Sequence, residues 1–382
     1  MRMKKLMILA VAALACAACA KTYEVKEVEP QAIGFGTWTS TLTKTHDPGN
    51  STVFAEGDNF NVYATKTVSS TSSDVFTGTV VTKGATDWDY APHRYWDSNA
   101  SSYTFYAVSP AGLLDGTGAS ATTAGVFTSE PIEFLGGDTQ KSDIKDILVA
   151  AKKEVTPTGS PATFASPVNL SFYHIASLVD LKVQKKDDLE VANEDANNYI
   201  KVAVTAISLT NIDGNGHFSI SSYNTASPYN PVTSSSTWTE ETGATKKTYN
   251  HTSGYETVTL PTDVHTVTEA SPDALITKLV VMPQTFRTAE TDHSSDQTVN
   301  ITYTIESRES GNSSTSGPFT ASFDLKEFDN AQDYTNTAAD YITGWLPGYH
   351  YTYIITIGAN AITFTADIQN WTGSNGYHYL VN

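Results

Sequence analysis

The stretch YTYIITIGANAITFTADIQNW, residues 351–371, alternates apolar and polar side chains on either side of a short break. Ile362, Phe364, Ala366 and Ile368 fall on one face of an extended strand, and Thr363, Thr365, Asp367 and Gln369 on the other. Gly358, Ala359 and Asn360 supply turn residues between the two runs. This spacing predicts a β-hairpin with one buried face.

The same grammar repeats outward through the chain. Strand-like runs recur as NFNVYATK, SYTFYAVSP, KDILVAAKK, VNLSFYHIASLVDLKV, YIKVAVTAISLTNI, ETVTLP, ITKLVVMP, VNITYTIES and FTASFDL, separated by clusters of Gly, Asn, Asp, Pro and Ser. Only 17% of the 382 residues are charged, 40% are hydrophobic and 11% aromatic, a balance that suits strands and a large core better than solvated helices. The expectation is an all-β protein with no helix longer than a few turns. Its length suggests two domains. The Pro, Ser and Thr-rich stretch TPTGSPATFASP, residues 156–167, marks a division, so that 33–163 and 164–376 are each read as a β-sandwich. Residues 221–256, with little periodicity, read as a long surface loop.

The first residues carry an address. Arg2, Lys4 and Lys5 precede an apolar run from Leu6 to Ala18, shorter than the roughly 20 residues of a membrane-spanning helix, so residues 1–18 read as an export signal. The run ends in ACAACAK, which resembles a lipobox. Cys19 is the lipidation candidate, Cys16 its rival and an ordinary cleaved signal the alternative. Residues 19–32 have little apolar content and read as a tether. Both cysteines lie in this segment, so the expected domains rely on core burial and β-ladders rather than on disulfides.

Charge and motifs narrow the function. A formal net charge of −18, more negative still without residues 1–18, argues against nucleic-acid binding, which needs basic patches. The sequence has no G-x-S-x-G, H-E-x-x-H or G-x-x-x-x-G-K-[ST], and no cysteine in the expected domains for nucleophilic or zinc chemistry. The acid pairs Asp143 with Asp146 and Asp187 with Asp188 read as solvated charges. No catalytic residue, cofactor or metal is expected. DGNGH, residues 213–217, has the start of a calcium loop but lacks its closing glutamate, and reads as a hairpin turn. DWDYAPHRYW, with Trp88, Tyr90, Tyr95 and Trp96, reads as core aromatics or as a platform for a glycan. His174 and His350 read as hydrogen-bonded core histidines.

Taken in order behind a lipobox, FAEGDNFNVYAT, YWDSNASSYTFYAVSP, KDILVAA, VNLSFYHIASLVDLKV and WLPGYHYTYIITIGANAITFTADIQNW resemble the fimbrillin family, major subunits of Gram-negative type V pili. The resemblance runs through both halves and is poorest over 212–330. It implies two transthyretin-like β-sandwich domains in tandem, passage to the outer membrane as a lipoprotein, and a cut after a basic residue near the start of the first domain. That cut detaches a strand. Here AIGFGTWTSTLTK would be the strand, with Ile33 and Phe35 facing inward, and Lys44 the basic residue. The family often has arginine there, and Lys26 is a poorer candidate because a cut there leaves the strand in place.

A lost strand leaves unpaired backbone groups beside an apolar groove, and an extended segment of a neighbouring copy can fill both. The end of the chain, GYHYLVN, is the expected donor, with Tyr377, Tyr379 and Val381 on its apolar face; an intramolecular capping strand is the alternative, and AITFTADIQNW is a variant donor. Donor and groove are different surfaces, so the contact propagates into a filament. The expected partners are copies of the chain, other pilus subunits, a surface protease and, before cleavage, a lipid anchor in the outer membrane. Two other readings stand beside the stalk subunit: a tip or anchor subunit, and a monomeric glycan-binding surface lipoprotein.

Overall fold

A computed structural model describes residues 31–37, 54–114, 120–121, 126–134, 147–150, 152–159, 163–189, 191, 194–221, 236–250, 273–287, 296–327, 329–330, 342–359 and 362–370. Among them the regular structure is all strand apart from two single 3-10 turns, Asp187–Leu189 and Leu325–Glu327. The first half supplies β1 (Phe35–Thr37), β2 (Asn59–Val68), β3 (Thr71–Lys83), β4 (Trp88–Asp89), β5 (Ser102–Ser109), β6 (Ser120–Ala121), β7 (Phe127–Thr128), β8 (Ile132–Glu133), β9 (Leu148–Ala150), β10 (Lys153–Val155), β11 (Val168–Leu170) and β12 (Phe172–His174). The second supplies β13 (Ser177–Lys185), β14 (Tyr199–Ile212), β15 (Asn215–Ile220), β16 (Ser236–Glu240), β17 (Lys247–Asn250), β18 (Asp273–Val281), β19 (Gln284–Thr285), β20 (Thr298–Glu309), β21 (Asn312–Asp324), β22 (Asp329–Asn330), β23 (Gly344–Trp345), β24 (Tyr349–Ile357) and β25 (Ile362–Asn370).

The main sheet of the first half runs β12-β9-β5-β2-β3-β4, with β10 also on β5. Its central strands are buried on both faces because alternate residues enter different cores. Phe60, Val62 and Ala64 of β2, with Tyr103, Phe105 and Ala107 of β5, point into one. Tyr63, Tyr106 and Val108 point into the other. The first core is closed by β1 and β11, a parallel pair, and the second by the β16-β15-β7-β6 sheet, on which β8 also pairs with β15.

The second half is a sandwich. The sheet β18-β13-β24-β25-β22 and the sheet β17-β14-β20-β21 enclose a core that takes Tyr351, Tyr353 and Ile355 from one side and Leu209, Val299 and Ile301 from the other. The expected hairpin forms: β24 and β25 pair antiparallel from Tyr349↔Asn370 to Ile357↔Ile362. Ala366 is buried, and Ile362 and Ile368 pack against the same core; the side chain of Phe364 lies outside what is described.

Several boundaries differ from the sequence expectation. VNLSFYHIASLVDLKV, one apolar run, becomes β11, β12 and β13 in three different sheets. By strand pairing the first half therefore reaches His174, past the 163/164 division, because β11 and β12 bond to β1 and β9. The run 221–256 is not all loop: β16 pairs with β15 and β17 with β14, and the Trp238 indole donates to the Ile175 carbonyl at 2.7 Å. DGNGH does not join a hairpin. Its neighbours β14 and β15 lie in different sheets, so it is a corner, with Asp213 neutralised by Arg287 and Lys246.

Candidate strand-exchange groove

Local chemistry explains why residues 33–36 extend and dock. Ile33 and Phe35 alternate with Gly34 and Gly36, giving the short segment one apolar face and one face with no side chain. Ile33 and Phe35 are 1% and 5% exposed. The Phe35 ring meets Phe60, Phe76, Tyr90 and Phe105 at centroid distances of 5.9, 5.5, 5.6 and 6.1 Å, all edge to face, the arrangement the ring quadrupoles favour. This one side chain thus completes an aromatic core built by β2, β3, the segment after β4, and β5.

The backbone is held on both sides. On one, β1 runs parallel to β11 in the register Phe35↔Val168, Gly36↔Asn169, Thr37↔Leu170, and Val168 N–H donates to the Gly34 carbonyl at 2.8 Å. Gly34 N–H donates to Ser166 Oγ at 3.2 Å. On the other, Ile33 N–H donates to the Arg94 carbonyl at 2.8 Å, and the Tyr90 hydroxyl donates to the Ile33 carbonyl at 2.7 Å while accepting Arg94 N–H at 3.1 Å. Every one of these partners would serve any extended backbone of whatever sequence. Burial pushes the Tyr90 phenol up, keeping it a neutral donor.

The loop that carries Arg94 has its own anchor. Lys66 Nζ donates to Asp97 Oδ2 at 2.6 Å, and Asp97 N–H donates to the Tyr103 hydroxyl at 2.7 Å. The hydrogen bond to Lys66 holds the Asp97 carboxyl below the usual range, and the same bond raises Lys66.

The other sequence candidates divide. Cys16, Cys19, Lys26, Lys44, Tyr377, Tyr379 and Val381 lie outside the described residues, as do Asp143 and Asp146. The aromatic platform does not form. Tyr90 is buried under β1, Trp88 packs edge-on against Phe54, and Trp96 stacks on Phe164 at 4.8 Å, leaving Tyr95 alone exposed at 51%. These rings face the core because a strand edge this apolar is better covered than solvated. His350 Nε2 sits 3.0 Å from Asp180 Oδ2, and His174 is buried within β12. Asp188 accepts the Ala359 N–H at 3.1 Å and lies 3.8 Å from Lys186. No cluster of potential metal ligands occurs among the described residues. Sequence reading missed Tyr90 and Arg94 as the clamp on Ile33, and Ser166, Pro167 and Asn169 as the wall along the glycines. The glycine alternation was visible, but what it clears is set by a segment 130 residues away.

A family model described as fimbrillin-like matches residues 43–371. Among solved structures, the chain is similar to a fimbrial protein from Bacteroides vulgatus, with 17% identity over 89% of this chain and 99% of that one and a TM-score of 0.47. It is also similar to the tip fimbrial protein Mfa3 from Porphyromonas gingivalis with C-terminal truncation, with 10% identity over 86% and 97% and a TM-score of 0.37. No curated protein matches.

Proposed function

The chain belongs to the fimbrillin-like family, and from that premise we propose that it is a pilus stalk subunit that polymerises by exchanging β1 for a strand of another copy. Family membership makes it a cell-surface structural protein and pilus subunit that associates with other subunits, not an enzyme. The finer account is as follows. The chain is exported as a lipoprotein on Cys19 to the outer membrane, its two halves fold as transthyretin-like sandwiches, and a surface protease cuts after Lys44. The freed strand leaves the groove, and residues 377–382 of a second copy enter it, with Tyr377, Tyr379 and Val381 taking the place of the apolar face lost with Ile33 and Phe35.

The observation that carries this reading is the manner in which β1 is held. Its side chains complete a core, yet its regular pairing is three residues long, and every backbone partner is blind to sequence. Removing it leaves the Val168 N–H and the Tyr90 hydroxyl without acceptors, the Arg94 carbonyl without its donor, and four aromatic rings without their cover. Such a groove is restored by any extended segment with matching apolar spacing. N-terminal sequencing of subunits from isolated filaments tests it: stalk subunits begin at Thr45, an anchor subunit at lipidated Cys19, and a monomeric surface protein yields no filaments.

A further inference from the structure

We propose that Ser166, Pro167 and Asn169 select the strand that fills this groove by side-chain size, so that large apolar residues can occupy the Ile33 and Phe35 positions only when the intervening row is small. The selection fixes a register for the chain's own tail, with Gly376 in the place of Gly34 and Tyr377 in that of Phe35. The register rests on the reading that a second copy supplies the replacement strand; the size selection rests on the groove alone.

Neither Gly34 nor Gly36 has a positive φ, so their lack of a side chain is demanded by space and not by backbone conformation. A Cβ on Gly36 would stand 2.5 Å from Asn169 Oδ1 and 3.1 Å from Pro167 Cγ. On Gly34 it would stand 3.2 Å from Ser166 Oγ, the atom that accepts the Gly34 N–H. The three neighbours differ in how far they can give. Asn169 is exposed and its amide can swing outward. Pro167 is a closed ring, and Ser166 Oγ is committed to the strand's backbone. Alanine at the Gly36 position therefore needs only Asn169 to move, whereas a branched or longer residue meets the proline.

With Tyr377, Tyr379 and Val381 inward, the tail presents Gly376, His378 and Leu380 to this wall. Running in the direction of β1 with Gly376 opposite Ser166, it places Tyr377 in the aromatic pocket and His378 against Asn169, the one neighbour that yields. A shift of two residues puts His378 against Ser166 and Leu380 against Pro167, and the opposite shift puts Asn375 in the aromatic pocket. β1 itself, with two glycines, fits the row better than the tail with one. An attached β1 thus outcompetes the tail, and exchange waits on its removal.

The test uses the full chain with a foreign protease site inserted after Asp47, cut so that β1 is held only by the groove, and fluorescent peptides of residues 31–37 and 371–382. Valine at Gly34 or Gly36 is expected to weaken the 31–37 peptide by about tenfold or more. Asn169→Ala in the protein should restore binding of the Gly36→Ala peptide. In the tail peptide, Gly376→Val should abolish binding and His378→Gly should strengthen it. Valine peptides that bind like the original overturn the size selection. Glycine-dependent binding of 31–37 with no binding of any tail peptide overturns the register and the tail as donor, while the selection itself stands. A measurement without exchange is the melting of the uncut chain: Gly36→Val lowers the melting temperature and added Asn169→Ala recovers part of it, and an unchanged melting temperature contradicts the proposal.

Discussion

Phe35 is the residue on which the first core closes, since its ring touches aromatics from four separate segments. Phe35→Ala in the uncut chain is expected to cost about 3–5 kcal/mol, measured by denaturant unfolding, because the pocket walls belong to ladders that cannot collapse inward. The Lys66 and Asp97 pair sets a pH dependence. The Asp97 carboxyl is held below its ordinary value, so its contribution is present above an ordinary aspartate value of about 3.9 and is lost as pH falls through the lowered one. Between pH 5 and pH 3 the wild type should lose more melting temperature than Asp97→Asn. Equal losses would mean that Asp97 does not anchor the loop that bears Arg94.

At the scale of elements, legibility followed how much of a strand's apolar face is its own. The hairpin β24–β25 was readable because Tyr351, Tyr353 and Ile355 alternate within one segment. β3 was not: TSSDVFTGTVVTK buries only Phe76 and Val81 and is held in register by its ladder with β2, which no single-strand pattern reports. β16 and β17 were hidden for the same reason, and the division of VNLSFYHIASLVDLKV into three strands depends on which sheet each piece meets. Of the groove, the inward pair Ile33 and Phe35 was legible, while the clamp by Tyr90 and Arg94 is a tertiary contact. The tail belongs to this scale as well. Tyr379→Asp should leave monomer melting nearly unchanged and block assembly, because a charge buried without a partner costs several kcal/mol only once the tail is inserted. A sharp fall in monomer melting with filaments still formed would instead make 377–382 a strand of its own domain.

For the whole molecule, the account treats one chain as both plug and socket. The core closed by β1 and the core of the second-half sandwich are joined by a third, to which Tyr63 and Val149 of the first half and Phe218 and Val280 of the second contribute, so a filament link made at the groove bears on both halves. Lys44→Ala should give a folded, lipidated protein that keeps β1 and does not enter filaments as an acceptor, read by electron microscopy of surface preparations. Assembly thereby depends on a covalent event and not on concentration alone. The most direct measurement is the mass and N-terminal sequence of subunits taken from isolated filaments. Subunits that begin at Thr45 and lack Ile33 through Gly36 are the predicted result, and filament subunits that still contain Ile33 and Phe35 would contradict the exchange of β1.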